Sequence, residues 1–419
     1  MSLAPAILDS LPPVEMAAEL CHLPGFLFLD SSSADASDAS GNDAGFSLVT
    51  ACPVSIVRGN LFDDDDFATL QSLLARRRLP EESTPDLGFP GAGLYGTVDY
   101  EGGYVFGEYD EFLLYDHRRG RWSETGTLSS RRQSALPSSG PVPRIEFHDD
   151  LDCGSYCDLV NRAKDYIAAG DIYQVNLTHR LSAPRPDGLD LFALYRRLRH
   201  LSPAPWSAYS TLGGRTVLSS SPEQFLRISG RTIQTRPIKG TRPRFRDREL
   251  DEKSAYDLIT SAKEISELVM ITDLERNDLG QICEYGSVIA TELLKLERYA
   301  QVFHLVSTVE GTLRTDVDPV AALRACFPGG SITGAPKKRA REIIEELEAR
   351  PRGLYTGTVG CFGFNGESRF NIAIRTLVAE EETLHFHVGA GIVADSDPAK
   401  EWEETLHKAG GILQACGCG

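Results

Sequence analysis

No run of about 18 consecutive apolar residues occurs in the chain, so a membrane-spanning helix is not expected. Basic charge is scarce: 43 Lys and Arg stand against 60 Asp and Glu, a formal net charge of −17. So acidic a chain repels a phosphate backbone, and a nucleic-acid partner is not expected. The N-terminus, MSLAPAILDSLPPVEM, lacks a basic segment followed by a long apolar stretch, so no secretory signal is read there. The cysteines number nine, an odd and dispersed set. That argues against a disulfide scaffold and fits a reducing compartment, the cytoplasm. Cys153 and Cys157 are isolated from other candidate ligands, and Cys416 and Cys418 lie in a Gly-rich tail, so no zinc site is read from them.

What is present is an ordinary globular composition, 419 residues with 41% hydrophobic and 25% charged. Residues 31–45 (SSSADASDASGNDAG) are too small and polar to bury much surface. Residues 123–143 (SETGTLSSRRQSALPSSGPVP) read as a linker or long loop. This divides an N-terminal region, 1–122, from a longer region, 145–419, with 123–144 between them. FLFLD and FSLVTA read as strands, and residues 63–78 as a helix with acids in its first turn and Arg in its last. Further on, RTVLSSS, EQFLRI, TIQTRPI, FNIAIRTLVA and LHFHVGAGIVA are β-rich. Helical patterns cover roughly 154–169, 250–275, 336–349 and 398–413. Strands cluster in antiparallel-looking groups instead of alternating with helices, so the class is α+β.

Two acid pairs stand out. Glu264 and Glu267 are three apart in one predicted helix, Glu401 and Glu404 in another, and that spacing puts each pair on one face. Asp397 and Pro398 give the second helix an N-cap and a first turn. Its apolar stripe reads as Trp402, Leu406, Ala409 and Leu413, with Glu401, Glu404 and Lys408 on a different face. Brought together, the two pairs would make a hard-oxygen site suited to Mg2+. On spacing alone, solvated surface acids are the commoner explanation. The stretch GGSITGAPK (329–337) has Ala335 and Pro336 where a phosphate loop needs Lys and Ser/Thr, which rules out that nucleotide reading. It reads as a cradle for a small anion or as a tight turn. Lys239 lies between an apolar strand and a Gly turn, and an amine there is a nucleophile only when partly neutral. His304, in FHLVSTVEG, reads more readily as a core histidine than as a catalytic one.

Together these features are specific. GDIYQVNLTHR, SSSPEQFLRI, TRPIKGT, KEISELVMITDLERNDLG, VFHLVSTVEG, PGGSITGAPK, GLYTGTVG, FNIAIRTL, GAGIVADSDP and EWEETLHKA occur in this order between residues 170 and 409. The series resembles the chorismate-utilising enzymes: anthranilate synthase component I, aminodeoxychorismate synthase component I, isochorismate synthase and salicylate synthase. The resemblance implies two packed, largely antiparallel sheets flanked by helices and formed by both halves of the chain. It implies Mg2+ at Glu264, Glu267, Glu401 and Glu404, with Glu267 and Glu404 the direct ligands, holding the ring carboxylate of chorismate. His304 and Lys408 match residues near that carboxylate, with His304 in a catalytic role. Tyr355 and Arg375 match residues at the enolpyruvyl carboxylate, with backbone N–H groups around Gly389 and Gly391. Gly240 and Thr241 belong to the substrate-binding motif that follows Lys239. Glu223 matches the general acid that protonates the departing 4-hydroxyl, which requires a raised pKa.

Within the family, hydrating members carry a water-activating lysine where this chain has Gln174, which disfavours water addition. Anthranilate synthases typically read Pro-Ile-Ala-Gly-Thr where this chain reads Pro237-Ile238-Lys239-Gly240-Thr241. The lysine form resembles the aminodeoxychorismate branch, in which the amine attacks C2 and ammonia then adds at C4. Anthranilate synthase component I is the alternative. No segment resembles a glutamine amidotransferase, so a glutaminase partner supplying ammonia is the expectation. Leu29-Asp30-Ser31 departs from the Leu-Glu-Ser of tryptophan-regulated relatives, and VDYEGGYVFGEY (98–109) lacks their Gly-Tyr-Asp run.

Overall fold

Short runs rich in β-branched and aromatic residues, bounded by Gly, Pro and Asn, build two antiparallel sheets. The computed structural model describes residues 11–31, 45–79, 88–134, 143–299 and 301–418. The first sheet runs Gly334–Ala335, Gln174–Pro184, Thr383–Ile392, Thr376–Ala379, Thr216–Ser221, Trp206–Ser210, Leu27–Asp30, Phe46–Thr50, Phe112–Asp116, Arg121–Thr125, with His148–Asp149 beside Gln174–Pro184. The second runs Ile238–Pro243, Val302–Thr312, Thr232–Arg236, Gln224–Ser229, Glu367–Asn371, Thr358–Gly363, Gly93–Val98, Gly103–Tyr109, Ser55–Asn60, with Ile289–Arg298 also on Val302–Thr312.

Nine helices occur among the described residues: α1 (Pro13–Leu20), α2 (Asp64–Arg77), α3 (Cys153–Ala169), α4 (Leu191–Leu201), α5 (Arg248–Ile259), α6 (Ala262–Gly280), α7 (Pro319–Cys326), α8 (Lys337–Leu347) and α9 (Pro398–Ala415). The expected α+β class with two packed antiparallel sheets and flanking helices is what the chain adopts. Each sheet takes strands from both halves: Leu27–Asp30 pairs with Trp206–Ser210, and Gly93–Val98 with Thr358–Gly363.

At α2 and α9 capping chemistry sets the helix start within a residue of where the sequence put it. Asp63 accepts from the backbone N–H of Asp65 and Asp66, and Asp397 from those of Ala399 and Lys400. The helix read over 250–275 is in fact two. Thr260 ends α5, and the Ser261 side chain accepts from Glu264 N to start α6, because these hydroxyl residues compete with the helical ladder. The stripe read for α9 also shifts. Its buried positions are Glu401, Thr405, Ala409, Ile412 and Ala415, while Leu406 is 40% exposed. Glu401 tolerates burial because Ser396 Oγ donates to it at 2.7 Å. Three amphipathic segments, α1, α4 and α7, went unread. The segment read as a linker from residue 123 begins inside the strand Arg121–Thr125, with a 3₁₀ turn at Leu128–Arg131. Its residues 135–142, and most of the low-complexity stretch 31–45, lie outside the described residues.

One correction matters for function. FNIAIRTLVA is not one strand: Glu367–Asn371 lies in the second sheet and Thr376–Ala379 in the first. The chain crosses between sheets at 372–375, where Arg375 has φ 49°. A second crossing joins Thr216–Ser221 to Gln224–Ser229 and carries Glu223. The crossings are tied together, since Ile372 N donates to Glu223 O at 3.0 Å.

Candidate active site

Helix α6 packs on the second sheet, on strands Ile238–Pro243, Ile289–Arg298 and Val302–Thr312, and α9 on strand Thr383–Ile392 of the first. Their acid pairs face each other. Lys263 Nζ lies 3.9 Å from Glu267 Oε1 and 3.7 Å from Glu401 Oε1, so this lysine bridges the helices. Burial works against its charge, but Glu401, Glu267, Glu404 and Glu264 together hold its pKa above the ordinary value. The four predicted acids are therefore one cluster. Burial raises the Glu267 carboxyl, only partly offset by Lys239 and Lys263, and its Oε1 is buried without a hydrogen-bond partner. An unmet buried acceptor costs about 1–3 kcal/mol. Glu404 shifts the other way: burial raises it, but Lys408, paired at 2.8 Å, outweighs that and lowers its pKa. A cluster of carboxylate oxygens with one buried oxygen unsatisfied is the donor set a hard divalent cation takes.

Lys239 comes from the second sheet and reaches toward the first. Its Nζ donates to Ser331 O at 3.4 Å and lies 3.7 Å from where a Cβ on Gly391 would stand. The same point is 2.3 Å from Gln174 Nε2, so Gly391 must be glycine for Gln174 to sit there. Glu223 is buried. Burial raises its pKa, against the opposing pull of the Ser331 side chain, Lys239 and the Ile238 N–H. A buried carboxyl with a raised pKa beside an amine is the pairing that an acid-assisted displacement requires.

Gly240 has φ 74°, and a Cβ there would meet Leu258 and, at 3.0 Å, Glu264 Oε2. Thr241 Oγ1 lies 3.0 Å from His304 Nδ1. Burial and the nearby Arg375 guanidinium lower the His304 pKa to about 3, so the imidazole is neutral. It offers a hydrogen bond to an anion and no positive charge. Burial also depresses Arg375. Lys408 Nζ donates to Gly389 O at 2.9 Å. Tyr355 is buried and stacks on His387 at 5.3 Å, on the strand that carries Gly389 and Gly391. Thus Lys239, Glu223, the acid quartet, Gly391 and Gly240 converge, and His304, Thr241 and Arg375 form a second group joined to the first through Gly240.

A family model described as chorismate binding enzyme matches residues 68–414. The chain belongs to the chorismate binding enzyme family. It is 45% identical over 285 residues to anthranilate synthase component 1 of Thermus thermophilus, covering 66% of this chain and 61% of that protein. It is 44% identical over 328 residues to aminodeoxychorismate synthase component 1 of Bacillus subtilis, covering 73% and 69%. Among solved structures, anthranilate synthase component I of Streptococcus pneumoniae superposes with a TM-score of 0.77 at 27% identity, covering 89% of this chain and 93% of that one. Both anthranilate synthase and aminodeoxychorismate synthase components are therefore among its relatives.

Several residues of this chorismate binding enzyme's site were not read from sequence. Lys263 is a surface-type residue whose role comes from lying between two helices. Glu275 is buried and accepts from Gly330 N at 2.9 Å; burial and the nearby Asp278 raise it to about 7. Asp278 in turn pairs with Lys337. Arg352 is fully buried, donating to Glu348, Ile332 O and Asn176 O. Asp149, Asp150 and His179 also cluster, but each ring nitrogen of His179 has a partner, Asp149 at 2.7 Å and Thr405 at 2.8 Å. That group is a satisfied network.

Proposed function

We propose that this chorismate-converting enzyme aminates chorismate at C4, as aminodeoxychorismate synthase component I. The observation that carries the reading is the position of Lys239. Its amine reaches Ser331 O at 3.4 Å, and its charge favours the ionised forms of the buried Glu223 and of Glu267 and Glu404. In the proposed reaction the Lys239 amine forms a bond to ring carbon C2, the double bond shifts, and the C4–O bond breaks with a proton from Glu223. Water leaves. Ammonia then adds at C4, the double bond shifts back, and Lys239 departs as the amine. The proton lost by the attacking nitrogen restores Glu223, so the net change is exchange of hydroxyl for amino.

A carboxylate cluster repels an anionic substrate, so neutralising the quartet would favour binding of chorismate. Mg2+ held by Glu267 and Glu404, with Glu264 and Glu401 supporting, would supply that neutralisation and an anchor for the ring carboxylate. The neutral His304 with Thr241, and Lys408 near Gly389, orient the substrate. Arg375 and Tyr355 serve the enolpyruvyl carboxylate. A glutaminase subunit is the proposed source of ammonia.

The test is incubation with chorismate, Mg2+ and ammonium, with mass spectrometry and chromatography of products and of quenched protein. A C4 amine and a chorismate-derived adduct on Lys239 are expected. Anthranilate as the sole product, with no adduct, would replace this reading with the C2-aminating one.

A further inference from the structure

We propose that Arg352 is the positioning residue that sets the two ends of the substrate site in register: the end that holds the Lys239 amine, and the end that carries Tyr355 and Arg375. Its guanidinium is buried, and every nitrogen of the fork has an acceptor. Nε donates to Glu348 Oε2 at 2.9 Å and Nη2 to Glu348 Oε1 at 2.7 Å. Nη2 also donates to Asn176 O at 2.7 Å, and Nη1 to Ile332 O at 3.1 Å and to Thr356 Oγ1 at 3.3 Å. The Tyr100 ring covers one face of the guanidinium at 4.6 Å. These acceptors lie on the segments that build the site. Ile332 follows Ser331, whose carbonyl accepts from Lys239 Nζ at 3.4 Å. Asn176 is two residues beyond Gln174, which packs against Gly391 near that amine, and Asn176 Nδ2 donates to the same Ile332 O at 3.1 Å. Thr356 follows Tyr355, and its N–H donates at 2.9 Å to Ala373 O, in the crossing that carries Arg375.

Glu348, just past α8, also accepts from Thr178 N at 3.1 Å, so the counter-charge is itself fixed to the strand Gln174–Pro184. One planar group thus holds the loop on the amine side at a set distance from the turn on the enolpyruvyl side. A lysine ammonium, a point charge on a flexible stem, cannot span the same acceptors. A buried ion pair is weak evidence of stabilisation, because desolvation offsets the attraction, and apolar residues of similar volume fill such a space at little cost. A pair serving stability alone is therefore replaceable, whereas a pair that fixes distances between site segments is not.

This inference rests on the substrate placement of the proposed function, with Lys239 at one end and Tyr355 and Arg375 at the other. The assay follows chorismate consumption with ammonium by the full chain, with Tm measured for each variant. Glu348→Leu combined with Arg352→Met removes both charges at once and keeps the volume filled, so Tm stays at or near the wild-type value. In that double variant kcat falls about 100-fold and KM for chorismate rises about 5-fold or more. Arg352→Lys keeps a charge for Glu348 and gives a second folded variant, in which kcat falls about 10-fold and KM again rises. Loss of folded protein alone lowers the number of active sites, so it lowers apparent kcat and leaves KM unchanged. Constants within about 2-fold of wild type in either folded variant would overturn the proposal, as would a loss of kcat at unchanged KM that follows a loss of Tm. Product identity is scored separately, so nitrogen at C2 would remove the C4 reading while the kinetic constants still decide the role of Arg352.

Discussion

Asp30 and Glu267 are both carboxylates set against a helix and a sheet, one in the N-terminal half and one in the C-terminal half. Asp30 is fully satisfied: Arg199 Nε donates at 2.5 Å, Tyr195 Oη at 3.1 Å and Ser47 Oγ at 3.4 Å. Glu267 keeps a buried oxygen with no hydrogen-bond partner and has Lys263 only at 3.9 Å. A carboxylate whose lone pairs are met by its own chain is structure. One left unmet, among three more acids, fits the divalent cation proposed for it. Glu275 and Glu223 are both raised by burial, but Glu275 accepts from Gly330 N while Glu223 faces the Lys239 charge.

The largest effect expected is at the open end of that comparison. Lys239→Ala should lower C4-amine formation by about 1,000-fold or more, since it removes the nucleophile while Glu223 and the quartet stay. Product chromatography checks this, and wild-type rates from the variant would end the argument from Lys239. Next, the two carboxylates should separate stability from activity. Glu267→Gln should cut turnover about 100-fold yet leave Tm unchanged or higher. Asp30→Asn should cost about 3 kcal/mol by leaving Arg199 without its counter-charge, with kcat within about 2-fold. Denaturant unfolding beside steady-state kinetics reads both, and matched losses in the two variants would erase the contrast.

A smaller effect sharpens the reading of the quartet. Mg2+ at about 100 times its Kd should stabilise the wild type by about 2.7 kcal/mol, and Glu267→Gln or Glu404→Gln much less. Equal stabilisation of all three proteins would place the cation elsewhere. The smallest concerns Glu275. Its folded pKa is raised to about 7 by burial and Asp278, so the folded state holds a proton that the unfolded chain has already lost. Stability from this group is present at low pH and declines as pH rises toward and through about 7. Glu275→Gln should flatten that decline in Tm, and an unchanged slope would assign it to other groups.

The candidate acid pairs were legible because their spacing is local. The i,i+3 acids needed only a helix, and α6 and α9 supply it, with α9 starting at the Asp397 cap and Pro398. The β-rich runs were legible as strands, but not which sheet each joins. A run such as FNIAIRTLVA carries the same apolar signal whether it stays in one sheet or crosses to another, so the crossing that holds Arg375 was invisible. The α9 stripe failed for a related reason: hydropathy assigns Glu401 outward, and only Ser396, brought in from the preceding turn, makes its burial tolerable.

The sequence by itself determined the α+β class, the helix caps, the two acid pairs and the order of motifs that marks the family. Those depend on hydrogen bonds and periodicities within a few residues of chain. Tertiary structure alone decided that the pairs meet through Lys263, that Lys239 of one sheet reaches Gly391 and Ser331 beside the other, and that Glu223 is buried where the chain changes sheets. The physical reason is that burial and charge at these positions are set by groups distant along the chain, and the pKa shifts of Glu223, Glu267 and His304 follow from that assembly.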